Sequence, residues 1–159
     1  MAKKVEKTNV LRVLDSKKVQ YESHSYEADP SLSGAEIAGI LGEDTSKVFK
    51  TLVTRGKSGG YFVFVVPVEA ELDLKKAAKA AGEKSIEMIK QKELLPLTGY
   101  VHGGCSPIGM KKLFPTFMHE TAKDFDRVFV SAGKVGMQVE LDPQALVDIV
   151  KLEFADIIE

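Results

Sequence analysis

The segment Val48-Phe49-Lys50-Thr51-Leu52-Val53-Thr54-Arg55, followed by Gly56-Lys57-Ser58-Gly59-Gly60 and then Tyr61-Phe62-Val63-Phe64-Val65-Val66, decides the fold. From Lys47 to Arg55 the side chains follow a period of two and favour β-branched and aromatic types, as a pleated strand requires. Gly56 to Gly60 supplies a turn, and Tyr61 to Val66 returns as a second strand, so a β-hairpin is expected. Toward the N-terminus, Asn9 can cap a short helix carrying Val10, Leu11, Val13 and Leu14. Val19 to Tyr26 reads as a polar edge strand, broken by Asp29-Pro30. Ser33-Gly34-Ala35-Glu36 has capping-box spacing, and Gly42 closes the helix that bears Ile37, Ile40 and Leu41.

Toward the C-terminus, Asp73 caps an Ala/Lys-rich helix from Leu74 to Ala81 that Gly82 ends. A strand at Ser85 to Met88 and a helical turn near Lys90 to Leu94 follow. The next stretch is broken by Pro96, Gly99, Gly103, Gly104, Pro107 and Gly109 and reads as a loop. Thr116 to Glu120, Arg127 to Val130 and Met137 to Leu141 read as strands, and Asp142-Pro143 opens a helix through Val150. Six or more short strands with interspersed helices imply an α/β fold of the α+β type. Its largely antiparallel mixed sheet, flanked by helices, is expected to curve like a barrel within a single domain over residues 1–159.

Composition narrows the function. The chain has 159 residues, 44% apolar and 28% charged, an ordinary soluble globule. A formal charge of -1 argues against a polybasic membrane binder or a nucleic-acid coat, although Lys3/Lys4, Lys75/Lys76/Lys79 and Lys111/Lys112 form local basic clusters. The lone Cys105 favours a reducing compartment, no Cys/His spacing suits a metal, and no export signal or membrane-length apolar run is read. A cytoplasmic protein is expected. Neither a phosphate-cradling P-loop nor a dinucleotide fingerprint is present, so no cofactor is expected.

Two places could carry chemistry. Alternation puts Lys50 on the strand face shared by Val48 and Leu52, with Phe49, Thr51 and Val53 on the other. A lysine among aliphatics requires an anionic partner or exposure. The loop Val101-His102-Gly103-Gly104-Cys105-Ser106-Pro107-Ile108-Gly109 places two glycines where backbone amides can approach a ligand and point at one oxygen, and Pro107 stiffens its far end. The alternatives are a lysine on an exposed face and a plain structural turn. His102 and Cys105 allow a thiol nucleophile, but no third orienting group is evident and a packed cysteine fits as well. His24 and His119 are isolated. Ser131, Gly133 and Gly136 form a second Gly/Ser connector.

Phe49-Lys50-Thr51-Leu52, Leu74-Lys75-Lys76-Ala77-Ala78-Lys79, Thr98 to Gly109 and Val130-Ser131-Ala132-Gly133-Lys134, in that order, resemble the YbaK/EbsC family. These are free-standing relatives of the editing domain inserted in bacterial prolyl-tRNA synthetases. The resemblance implies a pocket for the aminoacylated 3′ end of tRNA and an enzyme that removes cysteine from mischarged Cys-tRNA(Pro), with Cys-tRNA(Cys) a further substrate. In this scheme the substrate thiol attacks its own ester, Lys50 supplies positive charge, and the Gly103/Gly104 backbone orients the aminoacyl group. Tyr26, Thr51, Cys105, Ser106, Pro107, Ser131 and Gly133 are the substrate-binding candidates. The resemblance also implies prolyl-tRNA synthetase as a partner that presents the substrate to a weakly charged domain. Hydrolysis of another mischarged tRNA such as Ala-tRNA(Pro), and a non-catalytic binding module, are the alternatives. Ala132 stands where two glycines often follow one another, a small change unless positive φ is required there.

Overall fold

The computed structural model describes residues 8–27 and 31–159. The expected break at Asp29-Pro30 and the Lys3/Lys4 cluster lie outside them. Five helices, α1 (Asn9–Ser16), α2 (Gly34–Leu41), α3 (Leu74–Ala81), α4 (Gln91–Thr98) and α5 (Pro143–Val150), alternate with eight strands. The strands are β1 (Tyr21–Ser25), β2 (Phe49–Gly56), β3 (Tyr61–Pro67), β4 (Ile86–Met88), β5 (Thr116–His119), β6 (Val128–Ser131), β7 (Met137–Leu141) and β8 (Glu153–Ala155). The caps follow the residues that supply them. Ser33 and Glu36 form the reciprocal box on α2, and Gly42 and Gly82 take the left-handed conformation at the ends of α2 and α3. Thr8 rather than Asn9 caps α1, because the Thr8 hydroxyl accepts from the Leu11 amide.

The strands form one α+β domain, but the sheet is not closed into a barrel. β1-β7-β6 make a three-stranded sheet and β4-β2-β3-β5-β8 a five-stranded one. They touch through a single parallel bridge, Val48 to Phe129. Four of the six strand pairings are antiparallel, while β3-β5 and β5-β8 are parallel.

Two elements differ from the sequence reading. α4 runs through Pro96 to Thr98. A proline this near the C-terminus removes one intrahelical donor, and the last turn is held by Thr98 donating to the Leu94 carbonyl and by Gly99 in the left-handed region. β8 carries no two-residue apolar alternation of its own and forms because β5 offers it a parallel edge.

Val10, Leu11 and Leu14 of α1, Val63 and Val65 of β3, Met137, Val139 and Leu141 of β7 and Leu146 of α5 share the main core. Ala38 of α2 packs with Val48 and Phe129 on the other face of the small sheet. That second contact brings α2 over the junction between the two sheets.

Candidate active site

Backbone pairing explains where the site opens. The Val68 amide donates to the Val48 carbonyl and the Gly56 amide to the Gly60 carbonyl. In an antiparallel ladder hydrogen-bonded residues alternate, so residues 48, 50, 52, 54 and 56 of β2 turn their backbone groups to β3, and residues 49, 51, 53 and 55 turn theirs to the opposite edge. On that edge β6 reaches only Val48, β4 begins to pair at Thr54, and the Ile89 amide approaches the Val53 carbonyl at 3.4 Å. Thr51 falls between them. No turn or loop group among the described residues bonds to its backbone, and its buried Oγ1 has no hydrogen-bond partner. Buried polar groups are ordinarily paired, so the partnerless Thr51 hydroxyl marks this gap in the sheet.

A cavity of about 240 Å³ opens at this gap. Val48, Phe49, Lys50, Thr51 and Leu52 line it consecutively, as expected of a strand edge rather than one strand face. Apolar walls come from Leu32, Ile37, Val68, Leu94 and Val135, and polar groups from Tyr26, Ser33, His102, Ser131 and Gln138. Lys50 is half-buried and forms no ion pair with any described residue. A cation in a largely apolar hollow with no carboxylate against it is able to receive an anion or an oxyanion.

The expected residues divide. Lys50, Tyr26, Thr51, Gly103, Cys105 and Ser131 all line the cavity. Gly104, Ser106, Pro107 and Gly133 do not, and each has another duty. The Gly104 amide donates to the Val101 carbonyl at 3.0 Å, closing a turn whose third residue, Gly103, has φ +86°. That is the place in a turn where glycine is favoured. The expectation that the Gly103 and Gly104 amides converge on one oxygen is therefore corrected. Gly104's N–H is used inside the turn, whereas those of Gly103 and Cys105 have no backbone acceptor among the described residues.

Gly104 matters for its missing side chain, because a Cβ there would stand 2.9 Å from Lys134 Cα and 3.0 Å from Val135 N. The loop and the 131–136 connector thus touch backbone to backbone. Ser106 is buried and its hydroxyl accepts from the Ile108 amide at 3.2 Å. Pro107 is buried beside it. Gly133, at φ +98°, makes room for Val10 and Tyr100, while Ala132 has no positive φ, so alanine costs nothing there.

Cys105 sits in the wall as a buried thiol. Desolvation pushes its pKa to about 12, so it is a neutral thiol at physiological pH, the opposite of an activated nucleophile. His102 lines the mouth in an exposed position and makes no hydrogen bond to Cys105. His119 is remote from the cavity and accepts from the Ile157 amide through Nδ1. Burial lowers its pKa.

Sequence reasoning missed Gln138, which lines the cavity from β7 while 6% exposed. The signal was present: in Met137-Gln138-Val139-Glu140-Leu141 the apolar residues share one face, which leaves Gln138 on the other face, toward α2.

With fold and cavity described, the chain can be compared with known proteins. A sequence model of the aminoacyl-tRNA editing domain matches residues 30–149, and the chain belongs to that family. It is 47% identical over 160 residues to a protein of Enterococcus faecalis named "Putative Cys-tRNA(Pro)/Cys-tRNA(Cys) deacylase EbsC", covering 99% of this chain and 98% of that one. A segment covering 48% of the chain is 30% identical to part of a proline–tRNA ligase of Fervidobacterium nodosum, spanning 13% of that enzyme. Among solved structures, one described as "a putative trans-editing enzyme for prolyl tRNA synthetase" superposes with a TM-score of 0.81 at 23% identity over 95% of each chain. That likeness shows the fold.

Proposed function

We propose that the protein is a trans-acting aminoacyl-tRNA deacylase that removes cysteine from mischarged Cys-tRNA(Pro), and Cys-tRNA(Cys) as a further substrate. One observation carries the reading. The unpaired Lys50 ammonium and the unsatisfied Thr51 hydroxyl share a cavity of about 240 Å³ at a gap in the sheet. A hollow of that size takes an aminoacyl group and the end of a ribose, and leaves the body of a tRNA outside. The name of the Enterococcus faecalis relative supports the substrate.

The chemistry follows from what the chain offers. Cys105 is unsuited to attack, so the nucleophile comes from elsewhere. In a cysteinyl ester the substrate thiol can attack its own carbonyl carbon. A C–S bond forms, the C–O bond to the ribose breaks, the thiol proton passes to the departing ribose oxygen, and a four-membered thiolactone leaves. An intramolecular nucleophile already has a high effective concentration, so the protein has only to hold the reactive conformer and stabilise the developing negative charge. Lys50 supplies the compensating positive charge, and the amides of Gly103 and Cys105 face the aminoacyl group from the loop side. Tyr26 and Ser131 close the remaining wall.

The protein works in the cytoplasm with prolyl-tRNA synthetase. Similarity to the ligase segment and the near-neutral charge, which gives weak tRNA affinity alone, support a partner that delivers the substrate.

The test is a deacylation panel with labelled Cys-tRNA(Pro), Cys-tRNA(Cys), Ala-tRNA(Pro) and Pro-tRNA(Pro). Loss of cysteine from the first is expected, with thiolactone trapped before its hydrolysis. Release of free cysteine with oxygen from labelled water would transfer the attack to water. Absence of turnover on every substrate would refute the reading.

A further inference from the structure

The wall of the cavity opposite Lys50 contains a built device. Gln138 is directly paired with Ser131 on β6 and with His24 on β1. Cross-strand partners share a face, so His24, Gln138 and Ser131 project to the same side of the small sheet, with Glu22 and Glu140 in the same rows. α2 lies over that side, held by the packing of Ala38 on Val48 and Phe129. Just after the helix, Gly42 turns the chain at φ +69° and the Glu43 amide donates to the Ala38 carbonyl at 2.8 Å. The Glu43 carboxylate is thereby delivered onto Gln138 from a fixed point.

The Gln138 amide nitrogen lies 2.9 Å from both Glu43 oxygens, the orientation the carboxylate dictates, since two oxygens facing one another could share no proton. The other end of the amide faces donors. Gln138 thus has its donor engaged by Glu43 and its acceptor, Oε1, on the opposite, donor-facing end of a side chain that lines the cavity.

The geometry points to Gln138 as the residue that recognises the α-ammonium of the aminoacyl ester, with Glu43 as the positioning residue that fixes its amide. The inference rests on the proposed function and names a second recognition element of the same site. Charge agrees with the hydrogen bonding. Glu43, Glu140 and Glu22 collect at the Gln138 end, tempered by His24, whose Nε2 is 2.9 Å from Glu140 Oε1. Lys50 stands on β2, separated from β7 by β6, which meets β2 only at Val48. An aminoacyl ester has the matching polarity: a cationic amine at one end, and at the other a carbonyl oxygen that becomes negative as the bond breaks. A carboxylate directly in the cavity would pair with Lys50 and quench it. An amide backed by a carboxylate transmits negative potential and cannot form that pair.

The experiment uses the full-length chain and two probes. One is 3′-cysteinylamino-3′-deoxyadenosine, a stable amide mimic of the charged 3′ end. The other is its 3-sulfanylpropanoyl counterpart, which lacks only the amine. Calorimetric affinities are measured at pH 7 for the wild type, Gln138→Leu and Glu43→Gln, with thermal unfolding of each variant and wild-type deacylation of Cys-tRNA(Pro) alongside. The wild type should prefer the amine-bearing probe about tenfold, the scale of one charge-assisted hydrogen bond. Gln138→Leu should erase the preference while leaving the desamino probe's affinity intact. Glu43→Gln, nearly isosteric, should weaken the preference because an amide partner no longer dictates which end of Gln138 faces it.

Equal loss of affinity for both probes in folded variants would mark the pair as merely structural and overturn the proposal. So would an undiminished preference in Gln138→Leu. A wild type that deacylates but shows no preference overturns this inference alone. One that neither deacylates nor binds either probe overturns the proposed function, and this inference with it.

Discussion

Two adjacent glycines in the site loop are required for opposite reasons, and alanine substitution separates them. At Gly104 the backbone φ is one that alanine accepts, but the new Cβ would lie 2.9 Å from Lys134 Cα, 3.0 Å from Lys134 C and 3.0 Å from Val135 N. Ordinary contact begins near 3.4 Å, so the loop and connector must separate by about 0.5 Å, and neither can yield by a side-chain rotation because the obstructing atoms are main chain. Overpacking of this kind typically costs ~1–3 kcal/mol. The separation also moves Gly103 and Cys105 away from Ser131 and Val135 across the cavity, and a displacement of that order in a positioned site lowers turnover by roughly tenfold to a hundredfold.

At Gly103 the space is adequate, with only Val135 Cγ2 at 3.4 Å, but φ is +86°. Alanine there pays for backbone strain of ~1–2 kcal/mol without forcing the walls apart. The two variants should therefore lose comparable stability, but Gly104→Ala more deacylation than Gly103→Ala, as read by kcat/KM on Cys-tRNA(Pro) beside urea midpoints for both proteins. A Gly104→Ala protein with wild-type midpoint and wild-type kcat/KM would refute the claim that the loop and connector touch through their backbones.

Lys50→Ala should slow deacylation by about 10²–10³, the usual result of removing one transition-state donor. Stability should stay within ~0.5 kcal/mol, because Lys50 has no ionic partner to lose; a large drop in midpoint would mean the amine is structural. Thr51→Val exchanges a buried, partnerless hydroxyl for a methyl, so it should stabilise the protein by ~1 kcal/mol or more while weakening the adenosine amide probe. A destabilised variant would mean the hydroxyl has a partner. The Cys105 thiol is raised from 9.0 to about 12, so the unfolded chain releases its proton first. The thiol's contribution to stability is whole below pH 9 and is lost between pH 9 and about 12, at ~1.4 kcal/mol per pH unit where the two states differ by one proton. Tyr100, raised by burial to about 12, acts in the same sense from pH 10. Urea midpoints of Cys105→Ala between pH 8 and 10 should fall less steeply than wild type, and parallel curves would show an accessible thiol. For Glu43, burial is the largest cause and raises the pKa above 4.5 despite the opposing His24 charge and Gln138 hydrogen bond, with Glu140 adding to the rise. Its folded form holds a proton more tightly, so its contribution to stability is present at low pH and declines as pH rises through that value. Glu43→Gln should flatten this decline in pH-dependent unfolding, and a steeper one would reverse the sign.

The sequence made some of this architecture plain because local chemistry and tertiary structure ask for the same thing there. The hairpin from β2 to β3, the box of Ser33 and Glu36 and the Asp142-Pro143 start of α5 each satisfy a backbone requirement within a few residues. Lys50 and the loop around Gly103 were visible for a related reason: a cation inside an apolar strand and paired glycines conflict with packing unless a ligand or a close approach resolves them. Whatever depends on non-local pairing was not visible. β8 exists only because β5 has a free edge, α4 outlasts Pro96 because its last carbonyls find partners in Thr98 and Lys111, and the Glu43 carboxylate that meets Gln138 is placed only by the packing of α2.

The gap in the sheet belongs to this second class and has the largest consequence. Alternation along β2 shows which residues share a face, but only the places at which β6 stops and β4 starts decide where along that edge the cavity opens. Filling that gap with one more pair of ladder bonds would close the cavity that Thr51 lines. Among the described residues the five-stranded and three-stranded sheets meet at one bridge rather than along a full ladder, and the cavity occupies the place that a continuous ladder would fill.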